Sequence, residues 1–215
     1  MTLVIYGRKS SPNVQKICWL CKEGEIKVTT KNVGGIYGGL DSEEFKKLNP
    51  NSTFPVINDN GFILYESNTI IKYISEKHEV FKTNNLQNMA KTNQWIDWSS
   101  LTLGLQCAIY RAYCPDLPEK IRDNRQLKKD IITAKEAKNK INFYFKILNN
   151  QLHTNQFMIH SNFGLADIAI GCWIHRCRLL EIDISEYKRL EKWFLKLNER
   201  KPFISEVILA PLPPN

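Results

Sequence analysis

Four short stretches of this 215-residue chain hold side chains whose types and spacing suit chemistry. In Tyr65-Glu66-Ser67-Asn68 a serine stands where a β-branched and aromatic run gives way to apolar residues at helical spacing, the place of a helix N-cap. Its hydroxyl and the unpaired backbone N–H groups beside it make the positive end of a helix, a ready carboxylate site, and Glu66 offers an anion to an ammonium. A ligand with an α-carboxylate and an α-amine on one carbon answers both demands; a capped helix next to a solvated glutamate is the blander alternative. Pro55 lies inside an otherwise convincing strand, where it removes a ladder hydrogen bond. Either the strand is an edge or bulge, or Phe54–Pro55 is cis, with the N–H and C=O of Phe54 turned outward for an extended peptide to pair with. Ser10-Ser11-Pro12-Asn13 gathers two hydroxyls and an amide at a helix start, where the dipole favours an anion.

Cys18-Trp19-Leu20-Cys21 matches C-x-x-C, but a redox dithiol needs the helix N-terminus to lower its thiol pKa. Cys18 lies two turns beyond the expected cap, and both sulfurs fall on the apolar stripe, so we expect packing groups. Cys107, Cys114, Cys172 and Cys177 have no zinc-like spacing with His153, His160 or His175 and read as small apolar fillers with reduced thiols.

The elements that position these residues follow from periodicity. Thr2–Tyr6 reads as a strand, and Pro12 suits the first position of a helix whose stripe is Val14, Ile17, Cys18 and Cys21, with Gly24 as C-cap. A second strand falls near Glu25–Asn32. A flexible glycine-rich segment, Gly34–Gly39, follows, then a short amphipathic piece at Phe45–Leu48. Phe54–Asn58 and Gly61–Tyr65 form a hairpin across Asp59-Asn60-Gly61, and Ser67 opens a helix built on Ile70, Ile71 and Ile74. Beyond Thr83-Asn84-Asn85 the strands vanish. Long helices are expected over Met89–Tyr113, then, after a loop holding Pro115 and Pro118, up to about Asn150, and over Gly164–Leu179 and Tyr187–Arg200, before a proline-rich tail. The expected architecture is an α/β domain, residues 1–80, joined to an all-α domain, 86–215.

Hydrophobic residues at 43% and charged residues at 24% exclude fibrous and largely disordered classes, and no apolar run is long enough to span a bilayer. With no leader-like start, a soluble cytoplasmic protein is expected. The net charge is +8, with most of the excess between Arg111 and Lys146, but the lysines alternate there with Asp123, Asp130 and Glu136, as on a solvated helix face. Nucleic-acid binding is therefore not expected.

Together, the strand–Ser-Ser-Pro–helix start, the X-Pro after Asn49-Pro50 and the Glu-Ser before a helix resemble a glutathione site on a thioredoxin-like domain. The chain resembles the cytosolic glutathione transferase superfamily over nearly its whole length, in its serine-type or related bacterial members. Glu66–Ile74 and Phe45–Pro55 carry the likeness in the first domain. In the second it is carried by Phe163-Gly164-Leu165-Ala166-Asp167-Ile168, where Gly164 replaces the usual hydroxyl cap but Phe163 and Ile168 keep the spacing of a hydrophobic staple.

The resemblance implies that Glu66 and Ser67 bind the γ-glutamyl end, that the Phe54 backbone before Pro55 binds the cysteinyl amide, and that Ser10, Ser11 or Asn13 stabilises the thiolate. Ser11 is the natural N-cap and Ser10 the less committed donor; the three stay unranked. Relatives place a basic residue just before the proline to meet the glycine carboxylate, and Thr53 stands there in this chain, with Lys46 or Lys47 as substitutes. Gln106, Tyr110, Arg111 and Trp173 are the implied electrophile wall. Glutathione is the implied co-substrate with no metal, a small electrophile the other partner, detoxification the role and a homodimer the assembly. A binding or regulatory module without transferase chemistry, and a glutathione-dependent disulfide or peroxide reductase, are the alternatives.

Overall fold

A computed structural model describes residues 3–117, 121, 129–159 and 161–212. Thr2, Pro118, Asp123, His160 and the end of the proline-rich tail lie outside the described residues. Those up to Lys82, with those from Pro202 onward, form one compact unit, and Thr83–Lys201 form the other.

In the first unit the β-branched run builds β1 (Leu3–Tyr6), followed by α1 (Pro12–Glu23) and β2 (Val28–Lys31). A single 3₁₀ turn (Gly35–Tyr37) and α2 (Glu43–Leu48) lead to β3 (Val56–Asp59), β4 (Phe62–Tyr65) and α3 (Ser67–His78). The sheet order is β2-β1-β3-β4, with β1 and β2 parallel and the other pairs antiparallel. Ile5 pairs with Ile57 at its centre, and both are fully buried with Val14, Ile17, Leu20, Ile70, Ile71 and Ile74. Each such side chain contributes about 1.5–3 kcal/mol relative to an exposed one. This is a thioredoxin-like unit.

Two expectations for it need correction. Helix α1 carries no simple stripe, because every residue from Val14 to Cys21 is buried. The added cover comes from the end of the chain, where Phe203 stacks on Trp19 with ring centroids 4.6 Å apart. The segment Gly34–Gly39 is not a loose linker either. Its ends are tied by a Gly34 N–H to Gly38 C=O bond of 2.7 Å, and at Gly34 and Gly35 φ is +80° and +62°. A Cβ at Gly34 would lie 2.5 Å from the Phe54 ring, so glycine serves close approach there.

The second unit is all-helical. It holds α4 (Leu86–Ser99), α5 (Leu105–Tyr113), α6 (Ile131–Gln151), α7 (Leu165–Leu179) and α8 (Lys188–Leu197), with α9 (Lys201–Phe203) beginning at its boundary. The single long helix expected over Met89–Tyr113 is instead α4 and α5 joined through a wide π-type turn, Ser100–Gly104. The Thr102 hydroxyl donates to the Trp98 carbonyl, and Gly104 lets the Trp173 indole pack against the backbone, so the ladder widens at that point. Helix α7 is buried along most of its length, from Leu165 through Cys177. Lys135, Glu136, Lys138 and Lys140 of α6 are exposed, and Asp130 caps that helix by accepting from Ile132 and Thr133. Among the described residues no helix is long and apolar enough to cross a membrane.

Candidate functional site

The loop after β1 brings Arg8, Ser10 and Ser11 to the start of α1, where Pro12 takes the first helical position because its missing N–H needs no partner there. Ser11 holds the N-cap position but its side chain makes no capping bond, contrary to its expected commitment. The Val14 N–H, which the hydroxyl would have capped, already donates to the Ser11 carbonyl at 3.0 Å. Ser10 is buried, Ser11 and Asn13 half-buried.

At α3 the cap is shifted by one residue from the expectation. Glu66 is the N-cap, since its carbonyl accepts the first helical bond from Ile70 at 2.9 Å, and Ser67 is the first helical residue. Glu66 adopts φ +71° and ψ 107°, a conformation that costs a non-glycine residue about 1–3 kcal/mol and that concentrates at functional sites. Its side chain is exposed, while Ser67 is buried.

The two helix starts meet. The Ser67 hydroxyl donates to Asn13 Oδ1 at 3.2 Å, linking the first turn of α3 to the first turn of α1. Behind them lies Lys16, a lysine with no exposed surface. Its Nζ donates to Ser67 Oγ at 3.0 Å and to Asn68 Oδ1 at 2.7 Å. Asn13 is thus placed beside Ser67 as well as near the serines.

Along the same face, Phe54–Pro55 is cis, one of the two alternatives read from the sequence. The Arg8 guanidinium lies 5.5 Å from the centroid of the Phe54 ring. Thr53 is occupied locally, its carbonyl and hydroxyl accepting from Asn49 Nδ2 at 2.8 and 3.2 Å. Lys46 pairs with Glu43 at 3.1 Å, and both Lys46 and Lys47 are exposed.

In the second unit, Gln106 and Tyr110 lie on the buried side of α5, and burial pushes the Tyr110 phenol well above its usual range, helped by its bond to Cys114. Arg111 donates its Nε–H to the Ile121 carbonyl at 2.7 Å. Trp173 is buried on α7, and its indole N–H has no hydrogen-bond partner among the described residues. The six cysteines are buried free thiols. Burial raises Cys18 to about 11 and Cys21 further, so neither supplies a thiolate near neutral pH. Cys107 and Cys177 touch, with their sulfurs 3.3 Å apart.

Arg8 and Lys16 escaped the sequence reading. Arg8 had a signal, a cation two residues before a Ser-Ser-Pro helix start. Lys16 had only a weak one, a charge between the apolar positions Val14 and Ile17, because the groups that receive its ammonium, Ser67 and Asn68, lie about fifty positions away.

Residues 5–85 match the family model "Glutathione S-transferase, N-terminal domain", and 101–201 match "Glutathione S-transferase, C-terminal domain". Glutathione S-transferase GstB of Escherichia coli is 25% identical, over 98% of this chain and 99% of its own. The disulfide-bond oxidoreductase YfcG of the same organism is 26% identical over 88% of this chain and 87% of its own. The theta class glutathione S-transferase of Xanthomonas axonopodis pv. citri, solved with glutathione bound, superposes with a TM-score of 0.86 at 25% identity, covering 97% and 98% of the two chains. With both halves of the family's architecture matched in order along one chain, this protein belongs to the glutathione S-transferase family.

Proposed function

We propose that the protein is a glutathione transferase that holds glutathione on its first unit and directs the thiolate at a small electrophile. The observation that carries this reading is the Asn13–Ser67 contact of 3.2 Å, which joins two helix N-termini. One positive helix end suits the γ-glutamyl carboxylate and the other suits the thiolate, and a single bound tripeptide presents both charges. In this reading Ser67 and Glu66 take the carboxylate and the ammonium. The backbone of Phe54, ahead of Pro55, pairs with the cysteinyl amide. Ser10, Ser11 and the N–H groups at the start of α1 stabilise the sulfur, with Asn13 bridging toward Ser67.

An unperturbed thiol has a pKa of roughly 8.5 and is only a few per cent ionised at neutral pH. A helix end and one hydroxyl donor lower that value; the proton leaves to solvent before attack. The sulfur then forms a bond to the electrophilic carbon as the leaving group, such as a halide, departs with its electron pair. Gln106, Tyr110, Arg111 and Trp173 are the proposed electrophile contacts, and a cytoplasmic homodimer is the proposed assembly.

A second reading, glutathione-dependent disulfide reduction, draws support from the oxidoreductase relative YfcG. Glutathione affinity is measured first, then turnover of an aromatic halide and of a mixed disulfide, for wild type, Ser10→Ala, Ser11→Ala and Glu66→Ala. We expect halide turnover to fall by about 10–1,000-fold in one serine variant, as when one oxyanion donor is lost. In Glu66→Ala the change should fall mainly on KM for glutathione. Disulfide turnover alone selects the second reading, and binding with no turnover leaves only a binding module.

A further inference from the structure

We infer that a cleft in the all-helical unit binds a small anion carrying two or three linked phosphates, a site independent of the glutathione reading above. The cleft lies between α8 and the chain that follows α6, has a volume of about 230 Å³, and is floored by the buried Leu152 and Trp193. Arg189, Lys192 and Lys196 of α8 line it, with His153 on the facing segment, and among the described residues no carboxylate does. At 3.6 residues per turn and 1.5 Å per residue, the three α8 cations fall within an arc of about 60° and spread over about 10 Å of helix.

This face differs from an ordinary solvated one. Lys188 pairs with Glu191 at 3.5 Å, but the Arg189 and Lys192 side chains have no ion pair or hydrogen bond among the described residues. Arg189 also stands in the first turn of α8, where the helix dipole disfavours a cation, and a bound anion would offset that. The two walls are tied near both ends of α8. Asn149 Oδ1 accepts from the backbone N–H groups of Arg189 and Leu190 at 3.0 and 3.3 Å, and Lys196 donates to Gln156 Oε1 at 3.2 Å. These ties fix the width of the cleft without using the Arg189 guanidinium or the Lys192 ammonium. A terminal phosphate carries about −1.5 to −2 near neutral pH, and its oxygens suit both an arginine fork and a lysine point charge. One orthophosphate does not reach cations spread over two helical turns; linked phosphates do. Trp193 is almost wholly covered, so it leaves no open face on which a base could stack.

The test is calorimetric titration of the full chain with inorganic diphosphate, triphosphate, orthophosphate and ADP. Three proteins are compared: wild type, Arg189→Gln with Lys192→Gln, and Lys138→Gln with Lys140→Gln. The last pair removes two exposed charges of α6 that lie outside the cleft, about three turns or more from the end of that helix. Diphosphate or triphosphate should bind one to one, about tenfold or more tighter than orthophosphate. The cleft pair should weaken that binding about tenfold or more, and the α6 pair by less than about twofold. Both cleft side chains are exposed and should be replaceable without unfolding. Should the double variant fail to fold, Lys192→Gln alone is read for a loss of about threefold. ADP and the inorganic anions separate the two sources of linked phosphates, and whichever binds tighter must lose its affinity in the cleft pair. Equal weakening by the two pairs would reduce the effect to the net charge of +8 and overturn the inference. So would a wild type that binds none of these phosphates, or a single-stranded oligonucleotide that binds more tightly than any of them.

Discussion

In α1 the buried cation, Lys16, donates to two side chains of another helix, at the end where that helix has backbone N–H groups still to satisfy. In α7 the buried anion, Asp167, accepts from three N–H groups: Met158 at 2.9 Å, Gly164 at 3.0 Å and Trp193 Nε1 at 2.7 Å. The Gly164 bond is half of a capping box, the half a glycine can supply, and it steadies the start of α7 without a hydroxyl at the cap. The first joins two helix starts, Lys16 donating to Ser67 and Asn68 and Ser67 donating on to Asn13. The second closes on itself and serves the fold. Buried polarity alone therefore does not distinguish site from scaffold.

The sharpest way to break this contrast is to delete both groups and compare stability. Asp167→Ala strands three donors, two of them buried, and we expect it to cost about 3–5 kcal/mol in urea unfolding. Lys16→Met leaves the acceptors Ser67 Oγ and Asn68 Oδ1 without their donor but removes no anion, and we expect a smaller loss of about 1–3 kcal/mol. Equal losses would mean that Lys16 belongs to the scaffold as Asp167 does.

A smaller effect sharpens the picture of α7. Burial raises the Asp167 carboxyl to about 6, while burial, with Arg176 and Arg178 nearby, lowers His175 to about 4. Folding thus takes up a proton at Asp167 between its ordinary carboxylate value and about 6. That contribution is complete in acid and is lost as pH rises through 6. His175 has the opposite sign: its contribution is complete above its ordinary value and is lost as pH falls through about 4. Each integrates to about 3 kcal/mol, from about 1.4 kcal/mol per unit of pKa, and the two oppose each other across pH 4–6. Unfolding free energies of Asp167→Asn and His175→Leu, measured across that window, should therefore diverge. The first should gain stability with rising pH relative to the second, and parallel profiles would refute the assignment.

The sequence reading carried the order of strands and helices in the first unit almost intact, because period-2 and period-3.6 patterns with Pro12, Gly24 and the Asp59-Asn60-Gly61 turn are local signals. It placed the cap at Ser67 instead of Glu66, since a residue with positive φ is not marked by its type. It missed the depth of α1, where Phe203 covers Trp19, and it missed Lys16, whose partners stand on α3. It did not foresee the break between α4 and α5, because the widening answers Trp173, about seventy residues on. What is local was legible. What depends on a distant side chain was not.

The last prediction tests that break. Gly104 has helical φ and ψ, so alanine there should gain about 1 kcal/mol from helix propensity alone. Its Cβ, however, would stand 2.7 Å from Cζ2 and 2.9 Å from Cε2 of the Trp173 ring, and the ring is buried. Displacing a packed indole costs about 1–3 kcal/mol, which outweighs the gain. Gly104→Ala should therefore lower stability by about 1 kcal/mol in urea unfolding and shift tryptophan emission as the indole moves. Asp167→Ala reaches the same helix through hydrogen bonds, and the two losses should add if Trp173 and Asp167 act independently. A stabilised Gly104→Ala would mean that the ring yields freely, and that the glycine is not what opens the ladder between α4 and α5.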